Sequence, residues 1–192
     1  GNDTLTGSKN ADSLYGYGGN DSINAGKGDD TVYGGDGQDT IDGSDGYDSL
    51  LGEAGNDSIL GGKDSDTILG GSGDDTLYGG EGRDFLYGEA GNDLLYGGND
   101  DWDELYGGDG NDTIYAGDST DDWGYGGAGD DSIYMGAGSD VANGDEGNDW
   151  IDAGSGNDSI YGGDGNDTID GGADNDLLYG DAGNDSIFGG AG

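Results

Sequence analysis

The chain of 192 residues has no cysteine, no histidine and no proline, and its basic residues are four: Lys9, Lys27, Lys63 and Arg83. Without histidine or cysteine, the usual zinc, copper and thiol chemistries are excluded. Against the four bases stand 44 acids, a formal charge of −40. So negative a balance excludes nucleic acid and anionic membrane surfaces as partners, because both are polyanions. No apolar run approaches the roughly 20 residues of a membrane span, and no charged-then-apolar leader opens the chain. Oxygen is the donor left in quantity, and it is the one that hard cations such as calcium prefer.

What is present is a period. Aspartate returns every nine residues for almost the whole length, each time after a glycine-rich stretch and two residues before a large aliphatic, so the unit reads G-G-x-G-x-D-x-U-x with U an Ile, Leu or Val. A fixed period of this kind decides the fold expectation. From Gly7, twenty complete units lie end to end, eighteen of nine residues and two of ten, Gly97 to Tyr106 and Ala116 to Tyr125. The first six residues of a unit are turn formers and the last three suit a strand. Charge and hydropathy alone would indicate disorder, but strict spacing puts carboxylates in register, where they can share cations.

Separating odd from even units reveals a second period. Even units hold glycine at the fourth position throughout, from Gly19 and Gly37 to Gly165 and Gly183, whereas odd units accept Asn10, Asp64 and Asp174 there and carry all four bases and both insertions. The pattern predicts an all-β coil with two units, eighteen residues, per turn and about ten turns. Its two strands per turn stack into two parallel sheets in a rod of about 48 Å at the usual strand spacing. The eighth residue of each unit points inward, giving in the even units the ladder Ile23, Ile41, Ile59, Leu77, Leu95, Ile114, Ile133, Ile151, Ile169 and Ile187.

One aliphatic per nine residues is little burial to set against the ordering of a glycine-rich backbone and the repulsion of stacked carboxylates. Something must bind between the turns. Calcium accepts six to eight oxygens from mixed carboxylate and carbonyl ligands. The candidate ligands are Asp3, Asp12, Asp21, Asp30, Asp39, Asp48, Asp57, Asp66, Asp75, Asp84, Asp93, Asp103, Asp112, Asp131, Asp140, Asp149, Asp158, Asp167, Asp176 and Asp185, with Asp121 and Asp122 both open in the second ten-residue unit. Clamping an ion between each loop and the loop one turn on allows up to about 19 calcium ions, enough to offset nearly all of the −40.

Units such as Gly34-Gly35-Asp36-Gly37-Gln38-Asp39-Thr40-Ile41 and Gly162-Gly163-Asp164-Gly165-Asn166-Asp167-Thr168-Ile169 resemble the repeats-in-toxin (RTX) calcium-binding nonapeptides at every defined position. The resemblance covers essentially the whole chain. It implies a right-handed parallel β-roll, calcium held by the sixth-position aspartate and loop carbonyls, and secretion from Gram-negative bacteria to the extracellular space by a type I, one-step channel. The chain opens and closes within a unit, so residues 1–192 are expected to be a single array cut from a longer protein, with the parent's flanking domains as its partners.

Two features stand outside the metal reading. Tyrosine recurs at the ninth position, as Tyr87, Tyr106 and Tyr125 on the odd face and Tyr78, Tyr96, Tyr115 and Tyr134 on the even face, with Leu69, Phe85, Trp102 and Trp123 beside the odd column. Stacking between turns accounts for these columns; the alternative is an adhesin-like glycan or protein ligand. The even loops also present a row of Asn or similar residues. Ice-binding proteins that the row resembles carry a threonine ladder two residues earlier, where this chain has Gly18, Asp36, Ala54, Ser72, Ala90 and Asp109. The core is irregular at Gly124 and Ala142, where Trp123 could turn inward instead if the insertion bulges after Asp121. For catalysis the carboxylates recur everywhere and are needed as ligands, and no histidine or cysteine is present to act as base or nucleophile, so the chain is expected not to be an enzyme.

Overall fold

A computed structural model describes residues 1–99, 101–118 and 121–192. Asp100, Ser119 and Thr120, which belong to the two ten-residue units, lie outside the described residues. Among the described residues there are twenty-one strands and no helix. The strands alternate along the chain between an 11-stranded and a 10-stranded sheet, each in chain order and wholly parallel. Pairing runs at eighteen residues, as in Ile23 with Ile41 and Ile41 with Ile59. The protein is thus an all-β parallel solenoid of about ten turns.

Strands are longer than the sequence indicates. Most have six residues, because the last three of one unit continue through the first three of the next, as in Thr31–Asp36 and Thr67–Ser72. The Gly-Gly pair that reads as a turn is therefore in the ladder, Gly71 pairing with Glu89. In Thr67–Ser72 both Ile68 and Gly70 are buried, so each strand turns two residues inward, an aliphatic and the first-position glycine. The turn itself is three residues, ending on the aspartate.

The aliphatic ladder is as expected: Ile23, Ile41, Ile59, Leu77, Leu95, Ile114, Ile133, Ile151 and Ile169 are buried opposite Val32, Leu50, Ile68, Leu86, Leu105 and Ile160. Ile187 is the exception, half exposed because no strand covers its far side. Across the insertions the ladder holds by stepping nineteen residues, Leu86 pairing with Leu105 and Leu105 with Gly124. Gly124 is accordingly the inward residue, and Trp123 faces out at 38% exposure. The space over Gly124 is filled instead by Met135: a Cβ on Gly124 would lie 3.0 Å from the Met135 sulfur.

Backbone strain also sits where the sequence did not place it. Left-handed residues occur at the second position of the unit as well as the fourth. Tyr17, Ser44, Glu53, Glu89, Asp145 and Asp181 hold φ between 60° and 78° at the second position, and Asp64 and Asp174 hold 68° and 78° at the fourth. Asn10, the third substitute, keeps a negative φ. At Gly55 the turns touch so closely that only glycine fits: a Cβ there would stand 1.6 Å from the Gly37 carbonyl oxygen.

Candidate metal centres

Each turn ends on its aspartate, immediately before a strand, so parallel stacking of the strands stacks the aspartates in two rows. One row runs from Asp3, Asp21 and Asp39 to Asp167 and Asp185, the other from Asp12, Asp30 and Asp48 to Asp158 and Asp176. Within a row the contact repeats without a break: the backbone N–H of one aspartate donates to Oδ1 of the aspartate one turn on, at 2.6–3.1 Å. The carbonyl of each aspartate accepts from the first strand residue of the following turn, as Ser22 N–H does to Asp3. One carboxylate oxygen is thereby fixed by the fold.

The other oxygen is not. Oδ2 is buried and without a hydrogen-bond partner in seventeen aspartates: Asp21, Asp30, Asp39, Asp48, Asp57, Asp66, Asp75, Asp84, Asp93, Asp103, Asp112, Asp131, Asp140, Asp149, Asp158, Asp167 and Asp176. Burying an ionised oxygen with nothing to balance it is costly. First-position glycines mark where these oxygens gather. A Cβ on Gly70 would meet Asp75 Oδ2 at 2.4 Å and the Gly88 carbonyl oxygen of the next turn at 2.9 Å. Among the described residues no three acidic side chains converge as a cluster. An ion between turns would therefore draw on one or two carboxylates and complete its shell with carbonyls, a mixture that calcium accepts. Orphaned carboxylate oxygens beside inward carbonyls fit such an ion.

Electrostatics agree. Burial pushes the carboxyls of Asp48, Asp57, Asp93, Asp112 and Asp149 up to about 6, those of Asp66, Asp75, Asp103, Asp131 and Asp140 up to about 7, and that of Asp84 up to about 8. The backbone N–H donated from the previous turn opposes the rise, and neighbouring carboxylates of the row add to it. Without a counter-ion, burial makes these carboxyls harder to keep ionised than free aspartates.

The ends and the insertions depart from the pattern. Asp3 is exposed, and Asp12 is half buried, its Oδ2 accepting from Ser8 N–H. Asp176 and Asp185 are half buried. In the second ten-residue unit the row passes through Asp122, which accepts from Asp103 N–H and donates to Asp140. Asp121 does not join it. It stands exposed one place before the row aspartate, with Oδ1 accepting from Ser139 N–H. In the first ten-residue unit Asp103 is in the row and Asp101 is exposed.

The aromatic patch is engaged within the chain. Tyr78, Tyr96, Tyr115 and Tyr134 stack at 4.8–5.1 Å, and Tyr87, Tyr106 and Tyr125 at 4.8–4.9 Å, with near-parallel rings. The Arg83 guanidinium lies 3.2 Å from the Trp102 ring centre and 4.5 Å from that of Phe85, and it donates to Glu104, which also accepts from the Tyr106 hydroxyl. The asparagine row is likewise self-bonded, Asn166 Nδ2 donating to Asn148 and Asn184 Nδ2 to Asn166. The tyrosine stacking is as expected from the sequence, whereas the contacts of Arg83 and the bonding within the asparagine row were not anticipated.

Comparison with sequence families places this geometry. The family described as the RTX calcium-binding nonapeptide repeat, in four copies, matches eight times: residues 1–32, 33–68, 69–101, 98–122, 117–151, 134–169, 143–178 and 161–192. No curated protein matches the chain.

Proposed function

The chain belongs to the RTX calcium-binding nonapeptide repeat family and is a calcium-binding β-roll, and from this premise we propose that it serves as the calcium-folded module of a larger secreted protein. The ligands are the two rows, Asp3 to Asp185 and Asp12 to Asp176 through Asp103 and Asp122, completed by loop carbonyls, and the ions number up to about 19. What carries this reading is the set of seventeen buried Oδ2 atoms that have no partner. Inside the cell, where calcium is scarce, the rows repel and the chain stays unwound. Outside, at about millimolar calcium, ions settle between turns and the coil forms. Members of this family are typically secreted by Gram-negative bacteria, which supplies that change of surroundings. The role is structural, folding and stabilising what lies beside it in the parent.

Recognition of a glycan by the tyrosine columns draws no support from their geometry. With rings stacked at about 5 Å, the faces that would pack on a sugar are covered by neighbouring tyrosines.

Circular dichroism during a calcium titration tests the proposal. A coil-like spectrum in chelator and a cooperative gain of β signal near 0.1–1 mM calcium are expected, the affinity range of extracellular modules. Magnesium, which demands stricter octahedral geometry, should substitute poorly. A full β spectrum in excess EDTA at pH 8 would refute it.

A further inference from the structure

The reinforcements that do not depend on a metal are concentrated in the middle of the rod. Arg83 reaches from one turn to Trp102 and Glu104 in the next, Trp102 packs at 5.6 Å on Trp123 in the turn after, and Tyr87, Tyr106 and Tyr125 stack along the same three turns. Glu104 is buried while the Arg83 side chain is 35% exposed, so this ion pair is partly shielded from salt. On the opposite sheet the column from Tyr78 to Tyr134 spans the same region. Both ten-residue units, the only interruptions of the nine-residue count, fall here.

Toward the chain ends the outer columns are shorter, single stacked pairs such as Tyr15 with Tyr33 and Tyr161 with Tyr179. Asp152 and Asp170 stand in register on adjacent strands of the 11-stranded sheet, placing like charges at one-strand spacing. The remaining side-chain ion pairs among the described residues, Lys27 and Lys63 with Asp45, are exposed, and pairs of that kind add little. Since each turn touches only its neighbours, winding starts wherever a few consecutive turns hold together best.

We infer that the Arg83–Trp102–Glu104 clip and the tyrosine columns beside it make the turns from Thr76–Glu81 to Ser132–Gly136 the seed of the coil, ordered at lower calcium than either end, with winding spreading outward in both directions. This rests on the calcium-driven folding proposed above. The seed lets an irregular stretch, where the insertions would otherwise cost register, be the first to settle.

Hydrogen exchange read by mass spectrometry on the full chain at stepped calcium concentrations tests it. Peptides covering the strands Thr76–Glu81 to Ser132–Gly136 should become protected at calcium at least about threefold lower than peptides covering Ser22–Lys27 and Ser159–Asp164, given the longer aromatic columns and the Arg83 clip at the centre. In Arg83→Ala/Trp102→Ala that gap should close, whereas Tyr161→Ala should leave it. Protection that starts at an end, or rises everywhere at once in the unaltered chain, overturns the inference even should the double variant fail to fold. A gap that survives the double substitution overturns the role of the clip. Protection absent at every calcium level would defeat the calcium-folding reading itself, a result distinct from these.

Discussion

Replacing Asp84 by asparagine separates two effects that the aspartate rows combine. Asp84 is fully buried, accepts Asp66 N–H at 2.8 Å through Oδ1, donates its own N–H to Asp103, and has an unpartnered Oδ2. Asparagine keeps the Oδ1 acceptor but puts an amide where Oδ2 stands, and it removes a charge. In calcium the loss falls on the ion toward Asp66 and the ion toward Asp103. At 10 mM calcium, and for dissociation constants of about 0.1–1 mM, each occupied site contributes about 1.4–2.7 kcal/mol, so Asp84→Asn should lose about 3–5 kcal/mol of stability. In chelator the sign reverses. The Asp84 carboxyl, pushed up to about 8 chiefly by burial, is the hardest of the row to bury ionised, and asparagine removes that cost. Urea unfolding followed by far-ultraviolet circular dichroism in calcium, together with residual β signal in EDTA at pH 8, measures both directions. Unchanged stability in calcium would show that Oδ2 is no ligand, and a shift of the same sign in both conditions would refute the argument.

Acid should partly replace the metal. The buried row carboxyls have folded values raised from 3.8 to about 6–8, so the coil binds more protons than the unwound chain, and the stability this confers is full below about pH 4 and lost as pH rises through 6 to 8. In EDTA, β signal should appear on acidification across that window; a flat profile would contradict it. Gly55→Ala places a methyl 1.6 Å from the Gly37 carbonyl oxygen at φ +136°, which should cost roughly 2–6 kcal/mol in a urea titration with calcium present. Met135→Ala, which empties the space over Gly124 in a fully buried site, should cost about 2–5 kcal/mol; a loss under 1 kcal/mol would mean that the core collapses around Gly124 without it.

Much of this was legible because the repeat is strict. The ladder from Ile23 to Ile169 and the rows from Asp21 to Asp167 follow from the period alone, since a parallel coil leaves an eighteen-residue repeat no other register. Strand length was not legible, because Gly-Gly carries the composition of a turn while Gly70 and Gly71 extend the strand Thr67–Ser72. A signal was present nonetheless. The first-position exceptions, Ala25, Ala116, Met135 and Ala153, are all apolar and all fully buried, and apolar substitution at a supposed turn marks an inward position. That same signal points to Met135 rather than Trp123 as the residue that fills the core beside Gly124. The choice between Asp121 and Asp122 needed the strands on either side, because two adjacent aspartates look alike until one of them is stacked. The Arg83 clip joins side chains about twenty residues apart across an insertion, a distance that no local pattern reports.

Eighteen residues advance the rod by one strand spacing, about 4.8 Å, whereas the same segment drawn out would reach about 60 Å. Only a chain held fully stretched, as during threading through a channel, would shorten by more than tenfold along one axis on winding; a relaxed coil of 192 residues, about 75 Å end to end, shortens far less. Under the proposed binding of ions between turns, pulling the two ends of the rod apart would work against each of those ions.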